Sequence, residues 1–122
     1  MADGRLSFKE MCERFDVTPR ALRYYEYIEL LSPEKEGRSR FYTNREIARM
    51  KLIMRGRRFG FSLEEIRQWL EMYEQKNIRP QMEVWIERAD RQLEELKKQR
   101  DQLGDSIDEL QKLRDDTAKS LN

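Results

Sequence analysis

The sequence predicts a mainly α-helical fold, in which a small N-terminal helical domain is followed by one long helix. Charged residues make up 40% of the 122 residues, with only 5 Gly and 3 Pro, a composition that favours helix. Ser or Thr followed three residues later by Glu, the signature of a helix start, opens three of the predicted helices. From Met82 onwards apolar residues recur at alternating steps of four and three, which is typical of a coiled coil.

Charge is distributed unevenly along the chain. Residues 1–80 carry 17 Lys and Arg against 13 Asp and Glu, whereas residues 81–122 carry 8 against 11. A basic N-terminal part and an acidic C-terminal part are typical of a nucleic-acid-binding domain joined to a different module. A helical protein with chance variation in charge would show the same pattern, so charge alone leaves both interpretations open.

Several functional classes are disfavoured by composition. One Cys and no His exclude a disulfide framework and a Cys/His zinc site within a single chain, so no metal or other cofactor is expected. An enzyme is not expected either, because no His is available for acid–base chemistry and no Gly-rich phosphate loop is present. No apolar run reaches membrane-spanning length and no signal peptide is evident, which predicts a soluble, cytoplasmic protein without a membrane partner.

The first two helices are predicted from their caps. After a loose tail at residues 1–5, Ser7 and Glu10 form a capping box that opens a short helix to about Arg14. Asp16-Val17 then makes a tight link to a second helix. The buried face of the first helix is predicted to consist of Phe8, Met11, Cys12 and Phe15.

The second helix has two chemically different faces. Thr18 is its predicted N-cap, and Pro19 suits its first position. One face is apolar, with Ala21, Leu22, Tyr25 and Ile28. The opposite stripe, Arg20, Arg23, Tyr24 and Tyr27, offers donors for phosphates and base edges. This arrangement is typical of a DNA-binding helix-turn-helix, although its geometry alone also fits a generic helical hairpin.

A hairpin and two further helices are predicted next. Pro33 is expected to end the second helix, and Gly37 to separate two short strands near Leu30-Leu31 and Phe41-Tyr42. Capping boxes at Thr43 and Ser62 open the two helices, the first of which stops at Gly60. The basic cluster at its end is Arg55, Arg57 and Arg58, and the second helix places Ile66, Trp69, Leu70 and Tyr73 on one face.

The remainder of the chain is predicted to be a linker, at residues 76–80, a coiled-coil helix, at 81–118, and a tail, at 119–122. A helix this polar cannot bury its apolar stripe alone, so a partner helix is required, and the sequence leaves its orientation open. The predicted dimerisation residues are Ile86, Leu93 and Ile107 at the a positions, and Ala89, Leu96, Leu103 and Leu110 at the d positions.

Together these motifs resemble the MerR family of bacterial transcription regulators. The resemblance rests on the run from Val17 to Glu26, Leu30-Leu31, Arg40-Phe41-Tyr42 and the run from Gly60 to Ile66. It covers residues 6–75 motif by motif and about 80–118 in architecture. It implies that residues 1–75 form a winged helix-turn-helix DNA-binding domain, and that the long helix forms an antiparallel coiled coil in a homodimer.

The resemblance also implies a function and a set of contacts. Such dimers bind palindromic operators in double-stranded DNA and bend and untwist the promoter for RNA polymerase. The wing commonly reads Gly-Tyr-Arg-x-Tyr, but here Arg38-Ser39 replaces Gly-Tyr, so Arg38 is expected to supply a charge in place of the tyrosine. The expected DNA-binding residues are Thr18, Arg20, Arg23, Tyr24, Tyr27, Arg38, Arg40, Tyr42 and Arg57.

No sensor region of the family's usual kind is evident. Residues 113–122 contain no Cys or His, so thiolate-based metal sensing is not expected. An effector, whose identity the sequence does not give, would have to use Trp69, Tyr73, Met82 and Trp85, which core packing explains equally well. Two rival functions remain open: an effector-independent DNA-architectural factor, and an interaction module whose coiled coil pairs with a different chain.

Overall fold

The computed structural model describes residues 4–74 and 79–122, and the chain divides into two compact units, Met1–Gln81 and Met82–Asn122. In the first unit, here named the lobe, helices dominate a small antiparallel sheet, which confirms the mainly α fold. The elements of the lobe are β1 (Leu6–Ser7), α1 (Phe8–Phe15), α2 (Pro19–Tyr27), β2 (Glu34–Glu36), β3 (Ser39–Tyr42), α3 (Asn44–Phe59) and α4 (Leu63–Glu74).

Three of the predicted helix starts are confirmed by their hydrogen bonds. The Ser7 and Glu10 side chains cap each other's backbone N–H groups, and Ser62 and Glu65 do the same at α4. The Thr18 hydroxyl accepts the Ala21 N–H at 3.0 Å. Each bond satisfies a donor that the first helical turn leaves unpaired.

The predicted capping box at Thr43 is wrong. Thr43 precedes α3 but makes no side-chain cap hydrogen bond. Glu46 is only 2% exposed and instead accepts the Ser32 N–H at 2.6 Å. A carboxylate that the sequence pattern assigns to a helix end therefore joins α3 to the loop that follows α2.

The wing also differs from the prediction. Leu30 and Leu31 are not a strand but buried core residues, and the hairpin is formed by β2 and β3. The sheet order is β1-β3-β2, with a short unpredicted strand β1 whose Leu6 lies opposite Tyr42. Two residues, Gly37 and Arg38, connect β2 to β3. Only Gly37 of the two has a positive φ, +61°, as in a type II′ turn.

Helix α2 ends at Tyr27, well before Pro33. Glu29 adopts the left-handed conformation with φ of +64°, which does not continue a right-handed helix. The carbonyl groups that follow are satisfied from elsewhere in the lobe: Arg67 donates to the Ile28 carbonyl, and Arg49 Nε donates to the Leu30 carbonyl at 2.8 Å. Long-range hydrogen bonds therefore stabilise the end of α2.

The core of the lobe is formed by residues of α1, α2, α3, α4 and the sheet. α3 and α4 approach closely at Gly56, where a Cβ would lie 2.7 Å from Ile66 Cγ1. α3 ends at Gly60, whose φ of +89° confirms the predicted C-terminal glycine. The fully buried apolar side chains include Met11, Leu22, Leu30, Tyr42, Met50, Ile53 and Ile66.

Helix α5 (Arg79–Ser120) supplies nearly all of the second unit and is 42 residues long, or about 63 Å at 1.5 Å per residue. Arg79 and Pro80, predicted as linker, are helical, whereas residues 76–78 lie outside the described residues. Helix also extends through Ser120 into the predicted tail. Within the described part of the chain, no helix is long and apolar enough to cross a membrane.

Candidate nucleic-acid interface

The exposed stripe of α2 is the most prominent candidate site in the lobe. Leu22 and Tyr25 are buried and fix the rotation of the helix, so the opposite face points outward. Tyr24 is 49% exposed and Tyr27 is 83% exposed. One shallow depression is lined by Thr18, Arg20, Ala21, Arg23, Tyr24 and Tyr27, which brings the four predicted contacts of α2 and its N-cap Thr18 onto one surface.

Aromatic contacts hold three side chains of this stripe. The Tyr24 and Tyr27 rings stack with centroids 6.5 Å apart. The Arg23 guanidinium lies over the Phe8 ring, with Cζ 5.2 Å from its centroid. A cation over an aromatic face loses part of its conformational freedom, so Arg23 is partly preorganised for a ligand.

A second surface follows the β2–β3 hairpin. It is lined by residues from the start of α1 and from the hairpin, among them Lys9, Arg38 and Arg40. Arg38 lies in the exposed two-residue turn. The Arg40 guanidinium covers Phe8, with Cζ 5.3 Å from the ring centroid. Phe8 is therefore the aromatic contact shared by the α2 stripe and the hairpin.

The hairpin is attached to α2 by Glu26. Its carboxylate pairs with Arg40 Nε at 3.1 Å through Oε1 and accepts the Tyr42 hydroxyl through Oε2. Burial, and then the hydrogen bond and charge of Glu26, raise the pKa of Tyr42 well above its usual value. The phenol therefore remains protonated and serves as a permanent donor to the carboxylate.

Arg5 supports the hairpin from the other side. Its Nη1 lies 2.8 Å from Glu36 Oε2 and 3.2 Å from Glu34 Oε1, and its Cζ lies 4.5 Å from the centroid of the Phe41 ring. Arg5 was predicted to belong to a loose tail, and this prediction is wrong for residues 4–5. The missed signal was the pair Glu34 and Glu36, two carboxylates on the same face of one short strand, which can share a single cation.

A third basic surface lies at the end of α3. Met54, Arg55, Arg57 and Arg58 line it. The Arg55 guanidinium covers Trp69, with Cζ 5.8 Å from the ring centroid, whereas Arg57 and Arg58 extend from the exposed last turn. Trp69 itself is buried and contacts Phe59 and Tyr73, as core packing predicts.

The arginines of the lobe fall into two groups. Five of them, Arg5, Arg40, Arg45, Arg49 and Arg67, form ion pairs with carboxylates. The other seven between residues 4 and 74 form no ion pair with any residue of the described ranges 4–74 and 79–122: Arg14, Arg20, Arg23, Arg38, Arg55, Arg57 and Arg58. An exposed arginine without a carboxylate partner can bind phosphate without breaking an ion pair, unlike the five paired arginines.

Comparison with protein families identifies what this surface belongs to. The model described as "MerR HTH family regulatory protein" matches residues 6–73, and the model described as "MerR, DNA binding" matches residues 47–113. Each match spans more than half of the chain. The chain belongs to the MerR family.

Three regulatory proteins are similar to this chain over most of its length. The transcriptional regulator HmrR of Rhizobium leguminosarum bv. viciae is 33% identical over 97 residues, 75% of each chain. A MerR regulator from Bacillus cereus superposes with a TM-score of 0.66 at 31% identity, over 84% of this chain and 75% of that one. HiNmlR, a MerR regulator lacking the sensor domain and bound to promoter DNA, shares the fold at a TM-score of 0.63 and 18% identity, over 85% and 79% of the two chains.

Membership in the MerR family establishes a DNA-binding transcription regulator, and the structure divides the predicted contact residues. Thr18, Arg20, Arg23, Tyr24, Tyr27, Arg38 and Arg57 all lie exposed. Tyr42 differs from them: it is fully buried and donates its hydroxyl to Glu26, so it presents no exposed surface to DNA. Arg40 is half-buried with its Nε on Glu26, which makes it primarily an internal contact.

Sequence reasoning missed Glu26, although a signal was present. Glu26 follows Leu22 by one helical turn and is adjacent to Tyr25, which places it at the edge of the buried face. A carboxylate in that position needs a partner. Arg40 and Tyr42, two residues apart on β3, share one face of the strand and provide two.

Proposed function

We propose that this MerR-family chain is a cytoplasmic, homodimeric regulator that reads a palindromic operator with α2 and holds the flanking phosphates with the hairpin and the end of α3. One contrast carries the proposal. Arg20 and Arg23 on the α2 stripe form no ion pair with the described residues, whereas five other arginines of the lobe are neutralised by carboxylates. Guanidinium and phenol groups are suited to base edges and phosphates in a major groove.

Different roles follow for the two sets of cations. Arg20, Arg23 and Tyr24 lie on a helix that can enter a major groove, so we assign them to base contacts. Arg38 in the hairpin turn and Arg57 at the end of α3 lie on exposed surfaces outside that helix, so we assign them to phosphates. Phosphate contacts fix position and supply affinity, whereas base contacts supply specificity.

The test is an in vitro selection followed by binding measurements. The wild-type protein selects its preferred duplex from a random pool, and affinities are then measured for that duplex and for a scrambled one. Arg23→Ala should weaken binding to the selected duplex by about 1–3 kcal/mol for each half-site and relax its specificity. Arg57→Ala should weaken binding to both duplexes and lower the slope of log K against log salt by about 0.9 for each protomer, or about 1.8 for the dimer.

Arg91→Ala is the matched control, because it removes the same charge from an exposed position of α5 outside the heptad seam. It should leave both affinities nearly unchanged. If the wild-type protein selects no sequence, or if Arg91→Ala weakens binding as much as Arg23→Ala, α2 does not read DNA. An architectural factor would then be the better interpretation, provided that DNA bending persists.

Dimerisation is proposed from the exposed apolar stripe of α5. None of the residues described for α5 is buried, and Leu103, Ile107 and Leu110 are each more than half exposed. The remaining members of the predicted seam are Ile86 and Leu93, which are exposed, and Ala89 and Leu96, which are half-buried. A partner helix packing on this heptad seam would remove the stripe from water. We propose a second copy in antiparallel orientation as that partner.

Equilibrium sedimentation tests the dimer. Leu103→Lys places a charge in the seam and should shift the protein towards monomer. Gln102→Lys introduces the same residue at the adjacent exposed position outside the seam and should leave the dimer intact. A wild-type protein that is monomeric at micromolar concentration would contradict the homodimer and would favour pairing with a different chain.

Promoter remodelling is the remaining part of the proposal. Two lobes that hold phosphates on either side of an operator can bend and untwist the intervening base pairs, which changes the promoter that RNA polymerase meets. Such deformation costs a few kcal/mol, to be offset by the phosphate contacts. Fluorescence energy transfer between labelled duplex ends should therefore report a shorter distance on binding, and Arg38→Ala combined with Arg57→Ala should reduce the change.

A further inference from the structure

Glu26 forms a side-chain junction between α2 and β3. Its side chain is 12% exposed, and both carboxylate oxygens are engaged, Oε1 with Arg40 Nε at 3.1 Å and Oε2 with the Tyr42 hydroxyl. A carboxylate used at both oxygens fixes the direction of the two groups that it binds. One α2 residue therefore constrains the strand that forms one side of the hairpin.

The constraint continues to a proposed DNA contact. Arg40 and Arg23 both cover the Phe8 ring, with Cζ atoms 5.3 Å and 5.2 Å from its centroid. Displacement of Arg40 from Glu26 would change the packing of Phe8, and with it the surface on which Arg23 rests. The contacts thus run from Glu26 through Arg40 and Phe8 to Arg23.

We propose that Glu26 is a specificity-determining positioning residue, whose carboxylate fixes the hairpin relative to α2 so that base and phosphate contacts form in a single register. This inference rests on the proposed reading of DNA by α2. Glu26 touches no DNA in this proposal. It acts through Arg40 and Tyr42, which hold β3 in place.

Positioning and charge have opposite signatures. A carboxylate beside a DNA-binding surface repels phosphate, so its removal should strengthen binding to every duplex. Loss of positioning should weaken binding only where register matters, on the selected duplex. The ratio of the two affinities therefore separates the roles, because a uniform change in electrostatics leaves that ratio constant.

The experiment compares affinities for the selected duplex and for a scrambled duplex of the same composition. Glu26→Gln should lower the ratio about tenfold, which is the discrimination supplied by a single base contact, while binding to the scrambled duplex becomes tighter. Glu29→Gln is the matched control. Glu29 lies three residues after Glu26 and has an exposed side chain, and the substitution removes the same charge. Its ratio should remain at the wild-type value.

Tyr42→Phe provides a second, independent variant. It removes one of the two bonds to Glu26 and keeps both the aromatic packing and every charge. It should lower the ratio several-fold without changing affinity for the scrambled duplex. If Glu26→Gln does not fold, as judged by circular dichroism, the Tyr42→Phe result decides.

Two results would overturn the inference. In the first, Glu26→Gln strengthens binding to both duplexes by one factor, so that only charge is at work. In the second, Tyr42→Phe retains the wild-type ratio. If the wild-type protein discriminates between the duplexes and both variants keep the wild-type ratio, the positioning role alone is refuted. If the wild-type protein selects no duplex, the reading of DNA by α2, on which the positioning role rests, is refuted.

Discussion

Gly56 provides the sharpest test of how the lobe is packed. It is buried on α3 where that helix meets α4, and a Cβ built on it would lie 2.7 Å from Ile66 Cγ1 and 3.0 Å from Ile66 Cδ1. Carbon atoms in contact prefer about 3.5–4.0 Å, so the added methyl group would overlap by about 1 Å. Ile66 is fully buried and β-branched, which leaves it little freedom to move aside.

The expected magnitude follows from two opposing effects. Overpacking of a dense core destabilises a protein by about 1–3 kcal/mol. Ala is better than Gly inside a helix by about 1 kcal/mol, which offsets part of the loss. Gly56→Ala should therefore reduce the free energy of unfolding by up to about 2 kcal/mol. For a domain of this size, each kcal/mol corresponds to about 4–8 °C in Tm.

Denaturant and thermal unfolding at one fixed protein concentration would measure the change. Gly104→Ala is the matched control, because Gly104 lies within α5 and a Cβ there meets nothing within 4 Å. This substitution should raise stability by up to about 1 kcal/mol. In an Ile66→Ala background the clashing atoms are absent, so Gly56→Ala should no longer destabilise the protein. If Gly56→Ala in the wild-type background stabilises as much as Gly104→Ala, the close-packing argument is refuted.

Three further predictions concern caps, a buried phenol and a buried carboxylate. Ser62→Ala should lower the free energy of unfolding by about 1 kcal/mol, because it removes the acceptor for the Glu65 N–H. Thr43→Ala should leave that free energy almost unchanged, because the Thr43 side chain caps no backbone group. Equal losses of the two variants in urea unfolding would refute this prediction. The pKa of Tyr42 is higher in the folded than in the unfolded protein, so the free energy of unfolding should fall as pH rises above about 10. Tyr42→Phe should make that fall less steep. An unchanged slope of stability against pH in the variant would count against this prediction. Glu46→Ala should destabilise the lobe by about 1–3 kcal/mol, because the Ser32 N–H loses its acceptor. The control is Glu71→Ala at an exposed position of α4, which should change stability by less than about half a kcal/mol. Comparable losses in the two variants would show that the buried hydrogen bond contributes little.

Local patterns predicted the starts of helices better than their ends. Ser7, Thr18 and Ser62 satisfy donors within three residues of themselves, so a short stretch of sequence contains both partners of each bond. Thr43 and Glu46 fit the same pattern and fail it, because Glu46 has a better-placed partner in the Ser32 N–H. A long-range donor outcompeted a local one.

The end of α2 was missed for the same reason. Pro33 is a strong local stop, but the helix already ends at Tyr27, and Glu29 then turns the chain in the left-handed conformation. The backbone that follows needs no strand partner, since Arg67 and Arg49 satisfy the Ile28 and Leu30 carbonyls. These arginines lie 39 and 19 residues further along the chain, where periodicity carries no information about the loop.

Pairing, rather than residue type, separates the arginines that shape the lobe from those available to DNA. In the sequence Arg20, Arg23, Arg38, Arg40 and Arg57 are equivalent cations. Arg40 differs because the neighbouring helix places a carboxylate 3.1 Å from its Nε, and breaking that partly buried pair to reach a phosphate would leave Glu26 without its cation. The exposed arginines lose no such partner when they bind phosphate. The same carboxylate that removes Arg40 from the phosphate contacts therefore makes it useful as a fixed point between helix and hairpin, which is why specificity is the quantity that should respond to Glu26.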